Sequence, residues 1–145
     1  MAGDLFRVMY ISRARRRMTN GELADLLAGA RERNQANGIT GLLVFDSGYF
    51  AQVLEGPKSS IDALLANITD DPRHDEYLLV SSGDVEGRYF DGWTMDWANL
   101  NRYDDTQHVV LRKYMRDHTI SDRSAIFGAL AAFVAEHRDT GTYTA

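Results

Sequence analysis

The chain has 145 residues, 44% of them hydrophobic and 26% charged, the composition of a soluble globular protein with one domain or one domain plus an extension. A net charge of −5 leaves no footprint for nucleic acid, and the absence of cysteine excludes disulfides and thiolate metal sites. There is no N-terminal signal pattern, and the longest apolar run, Ala125 to Ala135, is too short to cross a bilayer, so a cytoplasmic protein without membrane contact is expected.

The first apolar stretch, Leu5 to Ser12, reads as a strand with Phe6, Val8 and Tyr10 on one face, which sets a phenol among apolar neighbours. Thr19-Asn20-Gly21-Glu22 fits a capping box and Met18 with Leu23 a hydrophobic staple, so a helix starts here. Its buried stripe is Leu23, Leu26, Leu27 and Ala30, with Asn34 as the last member, and Asn37-Gly38 ends it. Two strands follow, Ile39 to Asp46 and Tyr49 to Glu55, joined by a tight turn at Ser47-Gly48. In the second, Phe50, Gln52 and Leu54 point the same way, which puts a primary amide between large apolar side chains. A buried amide without partners costs about 1–3 kcal/mol, so something must hydrogen-bond it. An amide accepts at one end and donates at the other, and turning it around reverses the polarity that each partner meets. Gln52 is therefore either a satisfied core residue or a switch.

A second helix, from about Ser59 to Thr69, carries Ile61, Leu64, Leu65 and Ile68 on one face. Tyr77 to Ser81 reads as a strand, and a final strand is expected from Glu86 to Trp93 with Arg88-Tyr89-Phe90 in its middle. Two helices separated by two-strand units predict a ferredoxin-like α+β sandwich, a mixed sheet with both helices on one face. That arrangement leaves the other face bare, lined by Met9, Ile11, Ala51 and Val53. After a polar stretch from Asn99 to Thr106, two further helices are predicted. Gln107 to His118 carries Val109, Val110, Leu111, Tyr114 and Met115, and a helix from Ser121 carries Ile126, Phe127, Leu130, Phe133 and Val134. Their apolar surface is expected to cover the bare face or to pair with a second protomer. The domain division is 1–98 for the sandwich and 99–145 for the helical extension.

The order Tyr10-x-Ser12, Asn34 with Ile39-Thr40-Gly41, Gln52-Val53-Leu54-Glu55-Gly56, Asp71-Pro72-Arg73-His74 and Trp93-Thr94-Met95 resembles a BLUF domain, a family that senses blue light with flavin. The likeness runs from about Leu5 to Trp97; single pieces such as Ile-Thr-Gly are weak, and the ordered set is specific. The resemblance implies a flavin between the two helices of the sandwich. Asn34 would bond its polar edge, Arg33 would reach toward the cofactor tail, and Gln52 would bridge flavin and the Tyr10 hydroxyl. Asp71, Arg73 and His74 match positions that hold the far edge and the ribityl chain. Leu26, Ala30, Leu43, Phe50 and Ile68 would form dry walls, with the small Ala30 leaving room for a planar ring. FAD is the family's usual choice, with FMN and riboflavin open, and the sequence has no glycine-rich phosphate loop to grip a nucleotide.

The resemblance further implies that light moves an electron and then a proton from Tyr10 to flavin, and that Gln52 is left rotated or tautomerised with no net redox change. Without cysteine, no thiol adduct to flavin can form. Trp93 and Met95 would be a switch pair, exchanging a place near Gln52. The change would pass through the sheet to the C-terminal helices and on to a separate protein or within a homo-oligomer. The chain leaves no room for an output enzyme, so no enzymatic activity is expected.

Taken singly, Tyr10 and Gln52 read as satisfied core residues and Asn34 as a helix-end amide; their joint occurrence in the family's order reverses that reading. Trp93 and Met95 divide evenly between core filler and switch. Arg13, Arg15, Arg16 and Arg17 form a solvated basic loop, Asp70 and Asp71 a turn before Pro72, and the four histidines are too scattered for metal-ligand spacing. Two other functions compete. One is an acylphosphatase-like enzyme using Arg73 and Asn34 on phosphate, although no basic cradle accompanies them. The other is an interaction module of the same fold without flavin. A yellow purified protein rejects both.

Overall fold

Strand alternation and helix capping work out largely as the residue pattern requires. The computed structural model describes residues 5–14, 19–46, 48–70, 74–89, 96–99, 109–117, 128–130 and 132–133. β1 (Leu5–Ala14) leads to α1 (Asn20–Asn37), whose capping box is closed in both directions: Thr19 Oγ1 accepts the Glu22 N–H, and Glu22 Oε1 accepts the Thr19 N–H. Met18, the outer half of the expected staple, lies outside the described residues. α1 stops at Gly38, which adopts φ 69°, a left-handed conformation that costs a residue with a Cβ and suits glycine. β2 (Thr40–Asp46) and β3 (Tyr49–Pro57) follow, then α2 (Lys58–Thr69) and β4 (His74–Asp84).

The sheet order is β4-β1-β3-β2-β5, with β5 (Asp96–Asn99) at one edge. All neighbours are antiparallel except β2 and β5, which run parallel, so the sheet is mixed and carries the ferredoxin-like arrangement at its centre. β2 and β3 approach closely at Gly41, where a Cβ would run into the Val53 carbonyl oxygen.

One expected element is corrected. Residues 85–89 form no strand, and among the described residues the last strand is β5. The reason is that this stretch bonds to the sheet corner rather than to a ladder. Arg88 donates to Gly38 O at 2.6 Å, Thr40 Oγ1 at 2.9 Å and Glu55 O at 3.1 Å, and the Tyr89 N–H donates to Glu55 Oε2 at 2.9 Å. Phe90 to Met95 lie outside the described residues, as does most of the expected polar stretch.

Two apolar layers sandwich the sheet. On one side Val8, Tyr10, Leu27, Ile39, Leu43, Phe45, Phe50, Leu54 and Ile61 pack beneath α1 and α2. On the other, Met9, Ile11, Ala51 and Val53 line the face left by those helices, joined there by Leu42, Val44 and Val80. α3 (Val109–Asp117) covers that face with Leu111, Tyr114 and Met115, and the helical residues 128–130 and 132–133 add Leu130 and Phe133. Arg116 Nη2 lies 3.4 Å from the buried Asp46 carboxylate at the end of β2, a further tie between α3 and the sheet. Ile126, Phe127 and Val134 lie outside the described residues. Among the described residues no helix is long and apolar enough to cross a membrane.

Candidate functional site

β3 is the middle strand, and Gln52 sits on it with Tyr10 of β1 as its direct partner on one side and Leu43 of β2 on the other. Adjacent strands bring such partners within side-chain reach. The Tyr10 hydroxyl donates a hydrogen bond to Gln52 Oε1, and both residues are nearly dry, at 4% and 7% exposure. The amide that the sequence places between Phe50 and Leu54 therefore has its acceptor end turned to a phenol, and its donor end points away from Tyr10. A phenol O–H can donate or accept. Tyr10 could thus serve either orientation of the carboxamide, whereas phenylalanine could serve neither.

Asn34 lies in the last turn of α1 and is 1% exposed. Its backbone carbonyl accepts the N–H of Gly38 and, at 2.9 Å, that of Ile39, so the glycine that terminates the helix also fixes where Asn34 stands. Leu26, Ala30 and Asn34 recur at four-residue intervals and share one face of α1. Leu26 and Ala30 are only partly buried against the sheet layer, and so are Leu64, Leu65 and Ile68 of α2. Phe50 packs at 5.1 Å from Phe45, and Leu43 is buried beside them. The sheet layer that carries Tyr10 and Gln52 thus lies beneath two helices whose apolar sides are incompletely sealed.

Charge divides between the two layers. Among the described residues, the buried charged side chains are Asp46, Glu55 and Arg112. Strand alternation sends Asp46 and Glu55 to the α3 side, and Arg112 belongs to α3 itself. The side that holds Tyr10, Gln52 and Asn34 offers uncharged hydrogen-bonding groups in an apolar setting, chemistry matched to a flat neutral ring with a polar edge.

Of the remaining expected residues, Arg33 and His74 are among those described. Arg33 is exposed on α1 with its guanidinium turned back toward Gly29. His74 opens β4, while Asp71, Arg73, Trp93 and Met95 lie outside the described residues.

Three residues that the sequence left without a role stand close to the site or to its supports. The Tyr77 ring lies 5.0 Å from the Tyr10 ring at 31°, and burial pushes its phenol above the usual tyrosine value. Arg88 and Glu55 knit the corner of the sheet. Period-2 alternation sets Tyr77 on the face opposite Val80, but it does not say which face of β4 meets the helices. Arg88 gives no signal of its own in the sequence.

The family model described as BLUF, sensors of blue-light using FAD, matches residues 5–96. The photoactivated adenylate cyclase subunit beta of Euglena gracilis is 36% identical over 117 residues, covering 77% of this chain and 13% of that protein. The corresponding subunit alpha is 34% identical over 111 residues, covering 75% and 11%. This chain therefore spans about an eighth of the length of these curated relatives. Among solved structures, BlrB, a BLUF protein in its dark state, superposes with a TM-score of 0.77 at 28% identity, covering 91% of this chain and 98% of that one. A bacterial light-regulated adenylyl cyclase superposes with a TM-score of 0.72 at 29% identity, covering 83% of this chain and 36% of that one.

Proposed function

The chain belongs to the BLUF family of blue-light sensors, and from this we propose that the Tyr10–Gln52 pair is its light-driven switch. The observation that carries the reading is the hydrogen bond from Tyr10 to Gln52 Oε1, made between two buried, uncharged side chains on adjacent strands. A flavin fits the residues around it. Leu26, Ala30 and Ile68 supply partly open apolar walls, Leu43 and Phe50 the floor, and the amides of Gln52 and Asn34 offer both donors and acceptors to the ring's polar edge. Arg33, Asp71, Arg73 and His74 would serve the cofactor tail and far edge.

When bound, flavin supplies a light-driven one-electron oxidant; this chain supplies everything that responds to it. Tyr10 is placed to give up an electron, and its hydroxyl proton to leave along the bond to Gln52 Oε1. Gln52 can accept at one end and donate at the other, so rotation or tautomerisation lets the same residue hold a second hydrogen-bond pattern with the same phenol. Light provides far more than the roughly 5.5 kcal/mol that a full population switch requires. Trp93 and Met95 would follow the change at Gln52, and the C-terminal helices would carry it to a downstream protein or a second protomer. FAD is the cofactor we assign, in the cytoplasm, with sensing rather than catalysis as this chain's own role.

The acylphosphatase-like alternative is disfavoured by Asn34, which is buried at 1% exposure on a side of the sheet that holds no buried cation among the described residues. The test is absorption of the purified protein loaded with FAD, before and after blue light. The expected result is a visible flavin band that moves to longer wavelength and returns in the dark. A band that stays fixed refutes the switch.

A further inference from the structure

Tyr77 takes no part in the Tyr10–Gln52 hydrogen bond, yet its ring lies against Tyr10 with centroids 5.0 Å apart and planes tilted by 31°. The way β4 brings it there is unusual. Tyr10's direct partner on β4 is Leu79, and Leu79 is 40% exposed. Its neighbour Leu78 is exposed as well, at 36%. The β1–β4 register shifts between Met9 and Tyr10 and again between Ile11 and Arg13. Each shift adds a residue on the β4 side, and such irregularities bend a strand and re-aim its side chains. The outcome is that two leucines keep more than a third of their surface in solvent while a tyrosine two residues from the register partner packs into the helix-side layer. A diagonal neighbour of this kind is within reach of an aromatic side chain.

We propose that Tyr77 is a positioning residue for the Tyr10–Gln52 pair. Its ring fixes the plane of the Tyr10 ring, and with it the direction of the Tyr10 hydroxyl, and it keeps water from that flank. Tyr77 thereby sets how long the rearranged pair persists after light. The inference rests on the switch role of that pair. Offset and tilted aromatic contacts are directional, so a ring holds a ring in orientation where an aliphatic side chain of similar size does not. Burial also raises the Tyr77 pKa, which keeps the phenol neutral through the physiological range and places no charge beside Tyr10.

The test compares Tyr77→Phe with Tyr77→Leu. One readout is the rate at which the light-shifted band returns in the dark. The other is the ring-carbon NMR resonance of Tyr10 in protein labelled with 13Cζ-tyrosine, assigned by its loss in Tyr10→Phe and recorded in the dark with and without FAD. Tyr77→Phe is expected to keep the wild-type recovery rate within twofold and the Tyr10 resonance in place. Tyr77→Leu is expected to recover at least fivefold faster and to move or broaden that resonance. If Tyr77→Leu does not fold, Tyr77→Met is held to the same criteria. A leucine or methionine variant that recovers at the wild-type rate overturns the proposal, whatever its resonance does. So does a phenylalanine variant that behaves like leucine, because the hydroxyl would then matter and not the ring. A wild-type protein without a light-induced shift would sink the switch itself, and the flavin-free resonance would still judge whether Tyr77 orients Tyr10.

Discussion

Replacing Glu55 with glutamine asks whether charge holds the corner where β1, β3 and the 85–89 segment meet. Glu55 is fully buried, and its Oε2 accepts two bonds, from Arg7 Nε at 2.7 Å and from the Tyr89 N–H at 2.9 Å. Glutamine keeps the shape and opens no cavity, so the change isolates the charge. Hydrogen bonds to charged groups contribute about 1.5–3 kcal/mol against about 0.5–1.5 for neutral ones, so two bonds losing their charge cost about 2–3 kcal/mol together. Arg7 would also lose its counter-ion, but its side chain is 22% exposed and water can compensate it in part, which keeps the cost below that of a fully buried broken pair. For a chain of this size the loss corresponds to a Tm lower by roughly 6–10 °C. The assay is thermal unfolding followed by circular dichroism at a fixed excess of FAD, since ligand concentration moves Tm by mass action. A cycle with Arg7→Met and the double variant should give a coupling energy of about 1.5 kcal/mol or more. A loss under about 0.5 kcal/mol for Glu55→Gln, or a coupling near zero, refutes the reasoning.

Gln52→Leu should retain flavin and show no light-induced shift, and Tyr10→Phe should do the same with its fold intact, both read by difference absorption. Asn34→Ala should mainly weaken flavin retention, measured as a raised Kd by flavin fluorescence; the helix end should survive, because the contacts at Gly38 and Ile39 use the Asn34 backbone carbonyl. Gly41→Ala should destabilise by about 3 kcal/mol or more, since its Cβ would meet a ladder carbonyl that cannot yield without moving β3, whereas Gly83→Ala, with open space around it, should stay within about 1 kcal/mol in the same denaturant titration. Hydrogen exchange at α3 should differ between dark and illuminated protein; identical protection would remove the C-terminal helices from the output.

The central fold was legible because each signal was local and redundant. Alternation in β1 and β3 separates Tyr10 and Gln52 from Met9 and Val53, and the Thr19–Glu22 box and Gly38 bracket α1. The same logic exposed a face in need of cover and supplied two apolar helices for it. What failed was the described part of the expected last strand, residues 86–89, where Arg88-Tyr89 has the composition of a strand. Its pairing is decided by acceptors 33 to 50 residues earlier in the chain, at Gly38, Thr40 and Glu55, and no local pattern encodes them. Tyr77 was hidden for a related reason: its approach to Tyr10 depends on extra residues on β4, and no local pattern announces them. At the site, the Tyr10–Gln52 pair was legible as two polar side chains on apolar faces. The register that makes them direct partners was not.

That register bears on where a change at Gln52 can go. Ala51 and Val53 flank Gln52 along β3 and point to the opposite side, where they share a layer with Leu111, Met115 and Phe133. A single strand's backbone is all that separates the carboxamide from the packing of α3. The two sides differ in what they hold. Above Gln52, the partly buried Leu26, Ala30 and Ile68 are the walls proposed for the flavin ring. Below it, Leu111, Met115 and Phe133 are completely enclosed, and close-packed interiors transmit strain instead of absorbing it. A rearrangement confined to the amide changes its hydrogen bonds on the helix side and leaves the α3 side as it was. One that displaces β3 itself has to move Ala51 and Val53, and α3 must then shift or repack, because the enclosed layer has no free space to take up the displacement.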